Sequence, residues 1–464
     1  MSELRSRIGG ELAPAMRRFG SSVDLDRRLV DEDIAGSMAH ATMLGETGIL
    51  SPDAAAALVG GLKEIREEWR DGTFSPGDDF EDIHMAVEAR LVEKVGPVGG
   101  ALHTARSRND QIATDLRLWM RNKLEEMDSA VTALMEAILT RVDGDGHILI
   151  PGFTHLQRGQ PILLGHHLLA HIWALSRDRE RLGGARSRVD ACPLGSCAMA
   201  GTSFPVDRDR TATLLGFGSV MENAMDAASA RDHVIETVSA LAILAIHLSC
   251  MAEELVLWSS SEFGLVELDG SYASSSSIMP QKRNPDAAEL VRGHSGRSTG
   301  ALMGLVVLLK GLPLAYNRDL QEDRFHLYTA VDSTLICLEV LRGVYATLGI
   351  RADRYEETLV GDPSLATELA DHLVSKGLPF RDAHDRVARL VARLDADGRG
   401  LDDLSPNELS TLDSDLGRAE LTVLLDPREA TNRKRSRGGT APEEISRQVG
   451  LLRETLKGKT GNPE

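Results

Sequence analysis

The chain has 464 residues, of which 42% are hydrophobic and 26% charged, ordinary values for a globular protein with a large core. Its 70 acidic and 52 basic residues leave a formal net charge of −18, which argues against nucleic-acid binding because that class needs basic surface to contact phosphates. The four cysteines lack CxxC spacing and the N-terminus lacks an apolar leader, so we expect a cytoplasmic protein with reduced thiols.

Helical patterns begin within the first hundred residues. Ser51, Pro52 and Asp53 predict the start of a helix, because serine is a favoured N-cap and proline and an early acid suit the first turn. From Asp110 to Ile138, apolar residues recur close to one face, which predicts a long helix.

Three further helices are predicted downstream. The first spans about 226–258, and its apolar run at 238–246 is too short and too closely flanked by acidic residues to cross a membrane. The second begins after Pro285 and carries a glycine every four residues, which predicts the close approach of a neighbouring helix. These glycines are Gly296, Gly300 and Gly304. The third follows the region of Thr367 and ends at Gly377.

The predicted fold class is all-α, because strand-like alternation is scarce and helical patterns extend throughout the chain. We divide it into an N-terminal helical domain at 1–105, a central bundle of long helices at 106–354 and a C-terminal helical domain at 355–464. No repeat of fixed period accompanies these patterns.

Two histidines on one predicted helix have the spacing of zinc ligands. His167 and His171 lie four residues apart, but the acidic residue of the HExxH motif is absent. Core or hydrogen-bonded histidines are therefore the favoured interpretation, and no metal site is predicted.

Two polar segments are candidates for chemistry. The first, 103–110, places two arginines at a helix start, where a carboxylate can be bound; a capping cluster with solvated arginines is an equal alternative. The second, 152–161, sets His155 beside Thr154, which suits proton transfer near neutral pH. A structural turn is at least as good an interpretation of this second segment.

A third polar segment, 274–286, holds four serines, two prolines, a lysine and an asparagine ahead of the glycine-bearing helix. A serine there can act chemically while Lys282 and backbone N–H groups stabilise negative charge. A flexible serine-rich linker is the alternative, and the Ile-Met-Pro sequence within the segment argues against it.

Together the three segments resemble the argininosuccinate lyases, members of the aspartase/fumarase superfamily. The third is similar to the superfamily's signature loop, a serine pair followed by Met-Pro-x-Lys-x-Asn-Pro. The resemblance covers nearly the whole chain, and the segments at 313–323 and 438–442 narrow it to the argininosuccinate lyase branch.

The resemblance implies a three-domain helical fold whose long central helices merge in a homotetramer. Each active site is then shared by three chains, and each chain supplies one polar segment to it. The implied partner is a small-molecule substrate, without nucleic acid or membrane, and no metal or organic cofactor is implied.

The implied activity is the reversible anti elimination of argininosuccinate to arginine and fumarate. It requires a base, fixed positive charge at a carboxylate and an acid for the leaving nitrogen. By residue matching, Ser276 is the expected base, and Lys282 and Asn284 hold the carboxylate that accumulates charge. His155, Thr154 and Glu289 are expected on the proton-donor side.

Further residues match positions that bind substrate in the family. Those expected at the succinyl carboxylates are Ser107, Arg108, Asn109 and Ser277. Those expected on the arginine side are Ser22, Asp26, Asp82, Arg231, Tyr316 and Gln321. Arg324 stands where the family has a carboxylate-binding lysine.

Some positions depart from the family pattern. Ala105 and Ser275 replace glycines, and Gly20 replaces an asparagine; Ser275 would restrict its loop if that position needed a positive φ. These departures keep open a related carbon–nitrogen lyase of specialised metabolism that releases fumarate from another N-substituted aspartate. An inactive crystallin-like structural protein is the alternative of another class, and the presence of all the matched catalytic residues argues against it.

Overall fold

The computed structural model describes residues 12–77 and 80–458, and helices dominate them, which confirms the all-α prediction. The first helices are α1 (Pro14–Gly20), α2 (Val23–Asp26), α3 (Val30–Glu46), α4 (Pro52–Arg70), α5 (Ile83–Val95) and α6 (Arg108–Asp145). Then come α7 (Leu164–Val189), α8 (Arg208–Leu215), α9 (Ala224–Ser229), α10 (Asp232–Ser259), α11 (Asp286–Leu309) and α12 (Asp323–Thr347). The last are α13 (Asp353–Glu356), α14 (Ala366–Ser375), α15 (Phe380–Ala396), α16 (Pro406–Leu412), α17 (Arg418–Leu424), α18 (Pro427–Arg433) and α19 (Pro442–Gly458).

Strands in the described residues are short. The two longest, β1 (Leu149–Thr154) and β2 (Gln157–Leu163), form an antiparallel hairpin that the sequence patterns did not predict. The others pair as β3 (Ala191–Cys192) with β4 (Ser219–Val220), β5 (Val266–Glu267) with β8 (Gly349–Ile350), and β6 (Ser274–Ser275) with β7 (Arg283–Asn284).

The chain divides into two compact units. Unit 1 holds the described residues up to Asp128 together with Glu180–Ala242 and Arg297–Ser333. Unit 2 holds Ser129–Arg179, Ile243–Gly296 and the described residues from Thr334 onward. The three-domain division expected from the sequence stays a prediction.

Each unit has an aliphatic core, in keeping with the low aromatic content of 4%. In unit 1, helices α3, α4 and α5 bury Ile34, Leu62 and Val87 against one another. In unit 2, helices α14 and α15 bury Leu369 and Leu390. These positions recur at helical spacing, so burial of one face stabilises each helix.

Local signals predicted several helix boundaries correctly. Ser51 caps α4, since its Oγ accepts a hydrogen bond from the Ala54 N–H at 3.3 Å. Helix α6 buries its predicted apolar face from Ile112 to Ile138, and α11 begins directly after Pro285. Capping and periodicity act within a few residues, which is why the sequence alone reveals them.

The helix predicted over 226–258 is in fact two helices, and the prediction of a single one is wrong. Ala230 has an extended ψ of 128°, and its carbonyl accepts a hydrogen bond from the Arg231 guanidinium at 2.8 Å. Helix α10 then starts at Asp232. Among the described residues α10 alone has the length and apolar composition of a membrane span, and 56% of its most apolar stretch is buried within the protein.

The glycines of α11 meet the prediction of close packing at one position. A Cβ at Gly304 would lie 2.2 Å from the imidazole of His326, so α11 and α12 approach closely there. A Cβ at Gly296 or Gly300 would meet no described atom within 4 Å. Two of the three predicted contacts are therefore not made among the residues that the structure describes.

Candidate active site

The first polar segment lies in unit 1, where it enters α6. Asp110 is fully buried, and its carboxylate accepts hydrogen bonds from the backbone N–H groups of Ser107, Gly195 and Cys197 at 2.8–3.0 Å. Burial raises the pKa of Asp110 to about 6, against the lowering effect of these hydrogen bonds. The Asn109 amide donates to the Ala198 carbonyl at 3.1 Å. The sequence did not indicate that Asp110 contacts the 195–198 turn, because the two are joined only by folding.

The turn that precedes this segment is held by a buried histidine. His40 Nε2 lies 2.9 Å from the Thr104 carbonyl, and burial lowers the pKa of His40 to about 3. The imidazole is therefore neutral and donates its Nε2 proton to that carbonyl. Ala105 follows with φ of 59°, the left-handed region that glycine occupies without strain. The glycine expected from the family resemblance is thus replaced at a position where a side chain costs about 1–2 kcal/mol.

Arg108 and Asp82, two of the predicted site residues, form an ion pair. Arg108 Nε lies 3.2 Å from Asp82 Oδ2, and its Nη1 donates to the Gln111 side chain at 2.7 Å. The other Asp82 oxygen caps α5 by accepting from the Met85 N–H at 2.7 Å. Arg108 and Asp82 each have a second hydrogen-bond partner, which holds the side chain in place. The distance between the guanidinium and the carboxylate is fixed as a result.

Four more predicted residues meet in a buried charged cluster of unit 1. Asp26 accepts hydrogen bonds from the Ser22 hydroxyl, at 2.5 Å, and from the Arg324 guanidinium. Asp323 lies 3.7 Å from Arg324 Nε and accepts from Arg231 Nε at 2.6 Å. The ionic side chains of this cluster are at most 2% exposed. Positive and negative groups alternate along it, so each buried charge has a partner.

Tyr316 and Gln321 precede Asp323 of this cluster in the chain, and Gln321 lies in a short 3-10 helix, Arg318–Glu322. Burial raises the pKa of the Tyr316 phenol, and the Gln321 carbonyl accepts a weak hydrogen bond from Arg324 at 3.4 Å. Arg318, the first residue of that 3-10 helix, donates to the Gly20 carbonyl at 2.6 Å. A Cβ at Gly20 would come within 2.9 Å of that guanidinium, so the Arg318 side chain would have to shift to admit one.

The second polar segment forms the tip of the β1–β2 hairpin in unit 2. Thr154 pairs with Gln157, and the two turn residues His155 and Leu156 have φ of 55° and 57°. Two successive positive φ values define a tight hairpin turn in which glycine or asparagine is usual. His155 and Leu156 therefore adopt a backbone conformation that is unfavourable for residues of their type. The His155 side chain is exposed and has no hydrogen-bond or ion-pair partner among the described residues.

The third polar segment folds as a loop between β6 and β7 of unit 2. The Ser276 Oγ accepts hydrogen bonds from the backbone N–H groups of Ile278 and Met279, at 3.3 and 3.0 Å. Two N–H groups aimed at one hydroxyl oxygen favour negative charge on that oxygen. The sequence gives no sign of these two donors, because backbone direction is set by the loop's fold.

The same loop holds the other predicted groups near the serine. The Lys282 ammonium donates to the side-chain oxygen of Asn284, and the Asn284 amide donates to Ser274 at 3.3 Å. Ser277 is exposed. Ser275 lies in the extended strand β6 and is absent from the residues with positive φ, so it does not strain the loop in this conformation.

Glu289 lies in the first turn of α11 and is exposed. Its carboxylate is 3.9 Å from the Arg292 guanidinium. Among the described residues, Glu289, His155 and Ser276 share no hydrogen bond or ion pair with one another, although all three belong to unit 2. Within a single chain, therefore, Lys282 contacts Asn284. Glu289, His155 and Ser276 make no such contact with one another.

Comparisons with known proteins identify the relatives of this chain. A sequence model of the lyase family matches residues 6–300, and one of the argininosuccinate lyase C-terminal region matches 363–432. The chain is 48% identical to an argininosuccinate lyase of Symbiobacterium thermophilum over 96% of both chains. It is 46% identical to the same enzyme of Crocosphaera subtropica over 97% of both chains.

Solved structures extend the comparison to the fold. EDDS lyase in complex with formate superposes with a TM-score of 0.84 at 28% identity, covering 97% of this chain and 92% of that one. A class II fumarase from Schistosoma mansoni gives a TM-score of 0.76 at 15% identity, covering 90% and 92%. The second likeness concerns the fold alone.

Proposed function

The chain belongs to the argininosuccinate lyase family and is a carbon–nitrogen lyase that releases fumarate, and we propose that its three polar segments form the active site. The reaction is the reversible anti elimination of argininosuccinate to arginine and fumarate. The observation that carries this function is the 48% identity to an argininosuccinate lyase over 96% of both chains.

In the proposed mechanism, Ser276 is the base. The reaction removes a proton from the carbon next to a succinyl carboxylate, and the alkoxide oxygen of Ser276 takes it. Two backbone N–H groups already point at this oxygen, at 3.0 and 3.3 Å, and they stabilise its charged form relative to the hydroxyl. These two hydrogen bonds lower the free energy needed to form the serine alkoxide, which allows serine, a weak base in water, to remove the proton.

Lys282 and Asn284 hold the carboxylate that gains charge when the proton leaves. The electron pair of the broken C–H bond spreads onto that carboxylate, which then carries two negative charges. The Lys282 ammonium has only the neutral Asn284 amide as a partner among the described residues, so its positive charge is free to act on the substrate. A fixed cation at this point stabilises the intermediate more than the substrate.

His155 and Thr154 serve the leaving nitrogen, which departs with the electron pair of the C–N bond and takes up a proton. An exposed imidazole on a tight hairpin tip can reach a site formed with another chain. Glu289 of a different chain orients His155, since the two share no contact within one chain. Under this assignment, His155 and Glu289 contribute to the reaction only when the chains are assembled.

The remaining matched residues bind the two ends of the substrate. Ser107, Arg108, Asn109 and Ser277 are proposed for the succinyl carboxylates. The residues proposed for the arginine portion are Ser22, Asp26, Asp82, Arg231, Tyr316, Gln321 and Arg324. Asp26, Arg231 and Arg324 already pair with buried neighbours, so their main effect on arginine is to position the groups around it.

We propose a homotetramer in the cytoplasm. Apolar side chains on α11 support the assembly. Leu290, Met303 and Val307 are 58–65% exposed in the single chain. Exposed apolar surface of this kind promotes aggregation unless another copy of the chain covers it. Gly296 and Gly300 leave space on the same helix for a close neighbour. The cysteines of the described residues are free thiols, which suits a reducing compartment.

The test of the function compares substrates under one condition. Purified protein is mixed separately with argininosuccinate, aspartate and EDDS, and fumarate release is followed by absorbance. We expect kcat/KM for argininosuccinate to exceed the others by about 10²-fold or more, because polar groups built for one leaving group are left unpaired by another. Faster release of fumarate from EDDS or another N-substituted aspartate would instead support the alternative function, a carbon–nitrogen lyase of specialised metabolism.

A further inference from the structure

Two imidazoles and a carboxylate converge in unit 2, on residues that the lyase mechanism does not use. His167 and His171 lie one turn apart on α7, and each places its Nε2 2.7 Å from the same oxygen, Oε2 of Glu254 on α10. Their side chains are 24%, 15% and 34% exposed, so solvent reaches the group.

The three groups have the spacing of metal ligands. Their candidate ligand atoms all lie within 4.8 Å of one another. Two imidazole nitrogens and one glutamate oxygen form a donor set that zinc binds, at about 2.0–2.2 Å from each atom, with a further position left for water. Both nitrogens already point to one place, so small side-chain shifts suffice to admit an ion between them and the carboxylate.

The surrounding residues restrict how these imidazoles can turn. The indole of Trp258, also on α10, packs against His167 with ring centroids 4.5 Å apart, and the two imidazoles are 5.3 Å apart. Without a metal, each Nε2 carries a proton that it donates to Glu254. Metal binding requires this proton on Nδ1 instead, a change of tautomer that releases no net proton from a neutral imidazole.

A second cluster of similar composition is less suited to an ion. Asp33, His84 and Asp115 meet in unit 1, with His84 Nδ1 3.0 and 3.4 Å from the two carboxylates. These side chains are at most 1% exposed, and the buried Arg106 beside them already supplies positive charge. The group in unit 2 has neither obstacle.

We propose that His167, His171 and Glu254 bind one divalent transition-metal ion of the zinc class, which ties α7 to α10. The sequence argued against a zinc motif because no acidic residue lies between the two histidines. The third ligand instead comes from Glu254, 87 residues from His167 along the chain, which local spacing cannot reveal. The ion has no part in the elimination, since none of its ligands is assigned to that reaction.

The test uses the full-length protein without an affinity tag, stripped of metal by a chelator and dialysed. Zinc binding is measured by competition with a chromophoric chelator, and Co²⁺ is added separately as a spectroscopic probe. We expect one zinc ion per chain, visible Co²⁺ bands of a low-symmetry site with nitrogen ligands, and a higher Tm when zinc is present.

Two variants and a matched control decide the assignment. H171A and E254Q are expected to weaken zinc binding by at least about 100-fold, more than the loss of an outer-shell partner costs. The control H384A removes a histidine of α15 that is 64% exposed, and it should bind zinc as the parent does. Circular dichroism confirms that each variant is folded.

The proposal is overturned if the parent retains no zinc against the chelator, or if H171A and H384A bind it equally. Fumarate release from argininosuccinate is measured with and without zinc in the same samples. A failure of zinc binding with normal turnover would remove the metal site and leave the lyase function untouched.

Discussion

The variant Ser276→Ala is expected to lose about 10²–10⁴-fold or more in kcat while the protein stays folded and assembled. Alanine removes the oxygen that takes the substrate proton, but leaves the N–H donors of Ile278 and Met279 in place. KM should change little, because substrate binding rests on other residues. Steady-state fumarate release from argininosuccinate measures both constants.

The control for this variant is Ser261→Ala. Ser261 is exposed and lies in unit 2, and its hydroxyl donates to the side chain of the adjacent Glu262 at 2.9 Å. It should keep the parent's kcat. If Ser276→Ala were as active as Ser261→Ala, another group would have to be the base.

The variant Asp26→Ala is expected to lower the free energy of unfolding by about 3–5 kcal/mol, the usual cost of leaving a buried charge without its partner. The Arg324 guanidinium is 2% exposed and would retain Asp323, which Arg231 already engages, as its only acidic partner among the described residues. Urea unfolding at one pH and one protein concentration measures the difference.

Asp332→Ala is the matched control, because it breaks an exposed ion pair in the same unit. Asp332 pairs with Arg28 at 2.6 Å, but their side chains are 52% and 42% exposed. Its removal should cost less than about 1 kcal/mol. Equal losses for the two variants would show that Asp26 and Arg324 are not a buried structural pair.

Prediction from the sequence succeeded where the cause is local. The Ser51 cap acts on Ala54, three residues away, and the buried face of α6 follows from helical periodicity. The break before α10 escaped prediction because it depends on Arg231, whose partner Asp323 is 92 residues away. A turn within 152–161 was one of the two interpretations, but the strands β1 and β2 on either side of it were not predicted, because His155 and Leu156 are unusual at positive φ.

The candidate site shows the same division between local and distant causes. Motif matching selected Ser276, Lys282 and Asn284, and the structure places them in one loop. It also selected Asp26 and Arg324, 298 residues apart, without indicating that they pair with each other. The support for Ser276 by two N–H groups could not be predicted, because every residue has such a group and only the fold aims it.

The central claim is that one active site takes Ser276 and His155 from different chains. It is tested by assembling hybrids from equal amounts of Ser276→Ala and His155→Asn, each inactive alone; asparagine suits the positive φ of position 155. Random mixing leaves each residue intact in half of the chains, so about one site in four regains both and about 25% of the parent's fumarate release should return. A hybrid no more active than its two parents would contradict the claim, since a site built within one chain cannot be restored by mixing.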